Sequence, residues 1–129
     1  MFIRHMEGLE LALACRAYAE DKKAEAVVVL DVREQSSVTD YFVIATGTSP
    51  PHVRAVWNGI YDGLQMDHRV KAHKPEGALQ NRWVVIDYFD VIVHVMTGDI
   101  REKYDLEGLW NDGAVIEPEV VSAVGEAGD

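Results

Sequence analysis

The sequence predicts a single α/β domain: a mixed sheet of about five strands flanked by helices. Three observations carry this. Apolar residues recur at helical spacing in two segments, short β-branched runs lie between them, and 129 residues suffice for one core. The predicted order is α-β-β-α-β-β-β-α.

Gly8 to Lys23 reads as a helix, because Leu11, Cys15 and Tyr18 share a face that Leu9, Ala12 and Leu13 widen. "AVVVLDV", Ala26 to Val32, and "DYFVIAT", Asp40 to Thr46, read as strands. Gly47 permits a sharp turn, Ser49 can cap the next helix, and Pro50 suits its first position. Val53, Val56, Trp57, Ile60 and Leu64 form one stripe, with an expected end between Gly63 and Asp67. "HRVKAH" reads as a short strand with Val70 and Ala72 inward, and "KPEGALQN" as a loop. Trp83–Tyr88 and Asp90–Met96 read as strands joined by a tight turn, apolar on both faces and hence covered on both sides. Asp99 is placed to cap a short helix through Tyr104, and "DLEGLW" adds a turn. The body is expected to span residues 8–112. Residues 113–129 carry four acids (Glu117, Glu119, Glu126, Asp129) and no Lys or Arg, which predicts a flexible acidic tail.

The net charge of −10 repels phosphate backbones, so direct nucleic-acid binding is not expected. A basic protein fits better, since opposite fields speed and orient docking. One cysteine, Cys15, allows neither an internal disulfide nor a cysteine metal knuckle, in keeping with a reducing, cytoplasmic setting. Cys15 ends "LALAC", but Glu7, Glu10 and Arg16 interrupt the apolar run that a lipoprotein signal needs. No stretch is long enough to span a membrane.

"TGTS", between a strand and a helix, is a turn whose N–H groups could hold phosphate. A nucleotidyltransferase would need a D-x-D or D-x-E pair about ten residues later to hold divalent ions. The window "VRAVWNGIY" holds no acid. An enzyme using the Gly47–Ser49 turn therefore stands as the alternative, and a capped helix start as the plainer account. "WVVIDYFDVIVHVM" places Asp87, Asp90 and His94 on adjoining segments. Asp90 and His94 lie about 13 Å apart along a strand, beyond bonding reach, though Asp87 could approach His94 across the pair. A core histidine with satisfied nitrogens is the plainer account. His68 and His73 fall on opposite strand faces, and neither HExxH, G-x-S-x-G, Walker A nor Rossmann patterns occur. No catalytic, metal or cofactor residues are assigned. In "REKYDLEGLW", Leu106 and Leu109 read as core. Arg101, Tyr104 and Trp110 read equally as interface anchors or as a cap on the sheet.

Taken together, "LDVREQSSVTDYFVIATGTSPPHV", "WVVIDYFDVIVHVM" and "REKYDLEGLW" resemble the ribosomal silencing factor (Iojap-like) family from about Leu9 to Asp112. The resemblance implies a nucleotidyltransferase-like fold without the catalytic carboxylates, and no enzymatic activity. It implies binding to a large-subunit ribosomal protein (number fourteen) on the subunit-joining face. That binding would block small-subunit association and repress translation. It also implies a homodimer. Trp83, Asp87, Asp90 and His94 match one family block, and Arg101, Tyr104, Leu106, Leu109 and Trp110 another. The partner-binding residues it implies are Trp83, Asp87, Tyr88, Asp90, Arg101, Tyr104 and Trp110. A general dimeric adaptor for another basic protein is a third reading. Two positions depart. Pro50-Pro51 replaces residues that are usually polar. Phe89 stands where the family commonly has Gly, and a Phe at positive φ costs around 1–2 kcal/mol. Either the turn differs, or Phe89 gains packing against a partner.

Overall fold

Tyr41–Gly47 (β2) is apolar at nearly every position and is buried along most of its length, so it must lie at the centre of a sheet covered on both faces. The computed structural model describes residues 6–73, 75–78, 82–109 and 114–116. Its elements are α1 (Gly8–Asp21), β1 (Glu25–Asp31), β2, α2 (Pro50–His68), β3 (Glu76–Ala78), β4 (Trp83–Asp87), β5 (Val91–Thr97), α3 (Gly98–Tyr104), α4 (Leu106–Leu109) and β6 (Ala114–Ile116). The strand order is β3-β4-β5-β2-β1-β6. β2 and β5 run parallel and the other pairs are antiparallel, which makes the sheet mixed.

Alternation along the strands divides the core in two. Tyr41, Val43, Ala45, Val84, Ile86, Val91, Val93 and Val95 face α1 and α2. Phe42, Ile44, Leu30 and Met96 face the other way and meet Ile100 of α3, with Leu106 of α4 at the margin. The first layer is a pair of long helices, whereas the second is two short ones.

The α2 stripe is as the spacing predicts: Val53, Val56, Ile60 and Leu64 are fully buried. Trp57 is only half-buried and packs at the rim. Ser49 caps the helix, its Oγ accepting the His52 N–H at 3.3 Å, with Pro50 and Pro51 entering the first turn. The helix runs to His68 and closes with Arg69 at φ 59°; Val70 N–H donates to Leu64 O and Arg69 N–H to Gln65 O. That closure takes up the start of "HRVKAH", so no strand forms there. Val70 and Ala72 still pack against the main core. The third strand lies instead at Glu76–Ala78, within the segment expected to be a loop, because β4 has an open edge there. Asp99 is not the cap of α3. Thr97 holds that position, and Asp99 sits in the first turn, where its charge suits the helix dipole.

Gly47 turns the chain from β2 into α2; a Cβ there would lie 2.8 Å from the Val53 nitrogen. At the other edge, β6 pairs with Val29, Leu30 and Asp31 of β1, just past the boundary expected at residue 112. An open β1 edge needs partners for its backbone groups, and these three residues supply them.

Candidate functional site

β4 and β5 form the hairpin anticipated in "WVVIDYFDVIVHVM". Register fixes what its polar residues can do. Val85 stands opposite His94, and Asp87 opposite Ile92. His94 is therefore met not by Asp87 but by Trp83, whose Nε1–H donates to His94 Nδ1 at 3.0 Å. The ring lies between Trp83 and Phe42, with centroids 6.0 and 5.4 Å away. Burial pulls its pKa down to about 4, so the imidazole is neutral and carries its proton on Nε2. This is a half-buried histidine held among aromatic rings, its Nδ1 satisfied by Trp83, and the Asp–Asp–His constellation does not assemble.

The aspartates serve the turn. Asp87 Oδ1 accepts the Phe89 N–H at 2.7 Å. Asp90 N–H donates back to Tyr88 O at 3.0 Å, across Phe89 at φ 77°. That is a tight three-residue turn of the strained type. The turn does not differ to suit a bulky residue; Phe89 adopts the glycine-like conformation. Asp90 reaches further, its Oδ2 accepting the Gly8 N–H at the start of α1. Its carbonyl takes the N–H groups of Asp40 and Tyr41. Glu7 makes no side-chain cap for α1, and Asp90 fills that role from the distant β4–β5 turn.

The remaining sequence-predicted residues divide. Tyr88 is buried in the main core, and its hydroxyl has no partner among the described residues. Burial pushes its pKa well up. Arg101 points inward. Nε and Nη2 grip both oxygens of Glu107 at 3.1 and 2.7 Å, while Nη1 donates to Ala26 O and Thr46 Oγ1 at 2.6 and 2.8 Å. Ala26 has φ 48° at a break in the β1–β2 register, so Arg101 holds a bulge in place. Tyr88 and Arg101 are thus internal supports rather than exposed anchors. Tyr104 is 42% exposed, its ring 5.0 Å from that of Trp83 and Lys103 Nζ over its face. Trp110 lies outside the described residues.

These placements leave an open half-face. Trp83, Val85 and Asp87 of β4 point to the side that α3 and α4 cover only in part. Glu76, paired with Val85, joins them from β3. Tyr104 stands at one end of this strip, and His73 and Phe89 at the other, 4.6 Å apart edge to face. His73, Glu76 and Val85 escaped sequence reasoning because only the unanticipated β3 brings them together.

The Gly47–Ser49 turn lies where the parallel β2 and β5 end together, beside a hollow of about 450 Å³ lined partly by Arg82, Thr97 and Asp99. Several N–H groups at this turn and at the helix start beyond it are already taken or missing. Thr48 N–H donates to His52 Nδ1 at 2.9 Å, His52 N–H donates to Ser49, and Pro50 and Pro51 have none. No group of three or more His, Cys, Asp or Glu suited to a metal occurs among the described residues. Among them, no helix is long and apolar enough to cross a membrane.

Fold and site together describe a small α/β domain with a partly open sheet face bearing aromatic and acidic groups. The family model described as "Ribosomal silencing factor during starvation" matches residues 5–128. The ribosomal silencing factor RsfS of Halalkalibacterium halodurans is 40% identical over 86% of this chain and 93% of its own length. That of Bacillus subtilis is 41% identical over 74% and 80%. The mouse mitochondrial assembly of ribosomal large subunit protein 1 is 32% identical over 69% of this chain and 40% of its own length. A Chromobacterium violaceum crystal structure superposes with a TM-score of 0.77 at 33% identity, covering 82% of this chain and 88% of that one. The chain belongs to the ribosomal silencing factor family. Those family names describe a regulatory factor associated with ribosomes.

Proposed function

We propose that this protein docks on a basic large-subunit ribosomal protein, the family's protein number fourteen, and sterically excludes the small subunit. It represses translation in the cytoplasm by occupancy, without catalysis, and acts as a homodimer. The observation that carries this is the open strip from Tyr104 and Trp83 to Glu76 and Asp87. Aromatic anchors there give desolvated contact, and the carboxylates match a basic surface. The net charge of −10 directs the protein to a basic protein rather than to exposed RNA. The name of the mouse relative, with its large-subunit assembly, supports the choice of subunit. Residues 8–112 form the docking body in this proposal, and residues 113–129 are an accessory tail.

Co-sedimentation with purified large subunits tests it. The expected result is binding at low salt that weakens as salt rises, with loss of subunit joining in a light-scattering assay. Tyr104→Ala and Asp87→Lys should each weaken binding at least fivefold while the circular dichroism melt survives. Absence of co-sedimentation at low salt would sink the proposal. The nucleotidyl-transfer alternative predicts protein-dependent pyrophosphate release from nucleoside triphosphates and magnesium; the consumed N–H groups of Thr48 and His52 argue against it.

A further inference from the structure

Apart from the hollow beside the Gly47–Ser49 turn, a concavity lies on the open strip, at the hairpin tip. It measures about 250 Å³ and is lined by His73, Glu76, Val85 and Asp87. Small-molecule sites usually run ~300–1,000 Å³, so this hollow suits a single side chain. Its walls have a definite chemistry. Glu76 and Asp87 place two carboxylates on one sheet face, since Glu76 pairs with Val85 and Asp87 lies two residues on. Val85 gives a half-buried apolar floor. Phe89, 64% exposed, sets its ring against His73 at the rim. His73 is pinned there by its own N–H, which donates to Asp87 O at 3.1 Å. An aromatic face, an apolar floor and two carboxylates together favour a flat cation on a long apolar stem.

We propose that this hollow is the seat for one arginine side chain presented by the basic partner. A guanidinium can lie against an aromatic face while its fork meets a carboxylate, which a lysine ammonium does less well. Phe89 then explains itself as the brace behind His73 at the rim of the seat, because a glycine there would leave that ring unsupported. The seat presupposes the docking proposed above and names the residue type that it takes.

Nuclear magnetic resonance titration of the full chain with N-acetyl-arginine amide, and separately with the lysine analogue, tests the seat alone. Arginine amide is expected to move the His73, Val85, Asp87 and Phe89 signals at low salt. Glu76→Gln and Phe89→Gly should each weaken this roughly 3- to 30-fold. Unmoved signals, or an equal response to the lysine analogue, would overturn the seat. Sedimentation with large subunits runs in parallel, where Glu76→Gln should weaken binding severalfold. Unmodified protein that responds to arginine amide but not to subunits would refute the ribosomal docking and retain the seat. Subunit binding without an arginine response would do the reverse.

Discussion

Phe89 carries a bulky side chain at φ 77°, a region that glycine enters freely and that costs other residues about 1–2 kcal/mol. The hydrogen bonds on either side, from Phe89 N–H to Asp87 Oδ1 and from Asp90 N–H to Tyr88 O, hold it there. Replacing Phe89 with Gly relieves the strain but frees the unfolded chain; replacing it with Ala keeps the strain and loses the His73 contact. The glycine variant should therefore be more stable than the alanine variant by about 1 kcal/mol in urea denaturation. Equal stabilities would mean that the turn relaxes when the ring is gone. His94 makes a different kind of prediction. Its folded pKa, about 4, lies below the ordinary 6.5, so between these values the unfolded chain binds more protons. Stability from this residue is complete above pH 6.5 and is lost as pH falls towards 4. His94→Gln keeps an acceptor for Trp83 without titrating. Its stability should decline less steeply from pH 6.5 to 4.5, by up to ~1.4 kcal/mol per pH unit. Parallel profiles would place the acid sensitivity elsewhere.

Among the elements, α2 was the most legible, because its stripe, cap and prolines are local signals that agree with one another. The β4–β5 hairpin was legible for the same reason, and with its register Trp83 could have been placed beside His94. β3 was not: three residues with a glycine at their centre have little strand character of their own and exist because β4 offers an edge. The arrangement of α3 and α4 was hidden for another reason. Arg101 grips Glu107, Thr46 and Ala26, and the last two are far away in sequence. An Arg followed by a Tyr and a Trp looks the same whether it faces a partner or a bulge. The side chain is only 11% exposed, so its charge is matched almost wholly within the protein. Arg101→Lys cannot hold both oxygens of Glu107 and still reach the bulge. It should lose about 2–3 kcal/mol in equilibrium unfolding. A change below ~0.5 kcal/mol would show that α3 and α4 are held by Ile100 and Leu106 alone.

At the scale of the whole molecule, the two faces of the sheet are unequal. α1 and α2 seal one side with fully buried residues, while α3 and α4 leave the β3–β4 half of the other side open. The open half is where the acidic and aromatic residues collect, so the thin layer and the candidate docking strip are one feature. A thicker second layer would bury Trp83 and Val85 and leave less sheet for a partner to read.

The central parallel pair has a further consequence, for the making of the protein. β2 lies next to β5, and Tyr41 finds its neighbour only when Val91 arrives. During synthesis the middle of the sheet must wait for α2, β3 and β4 to emerge first. Long-range pairing of this kind folds slowly, because the chain between the strands must be ordered before the pairing rewards it. A nascent chain stopped before Val91 has β1 and β2 but no centre to build on. The sheet thus becomes complete only once most of the chain has left the ribosome that made it.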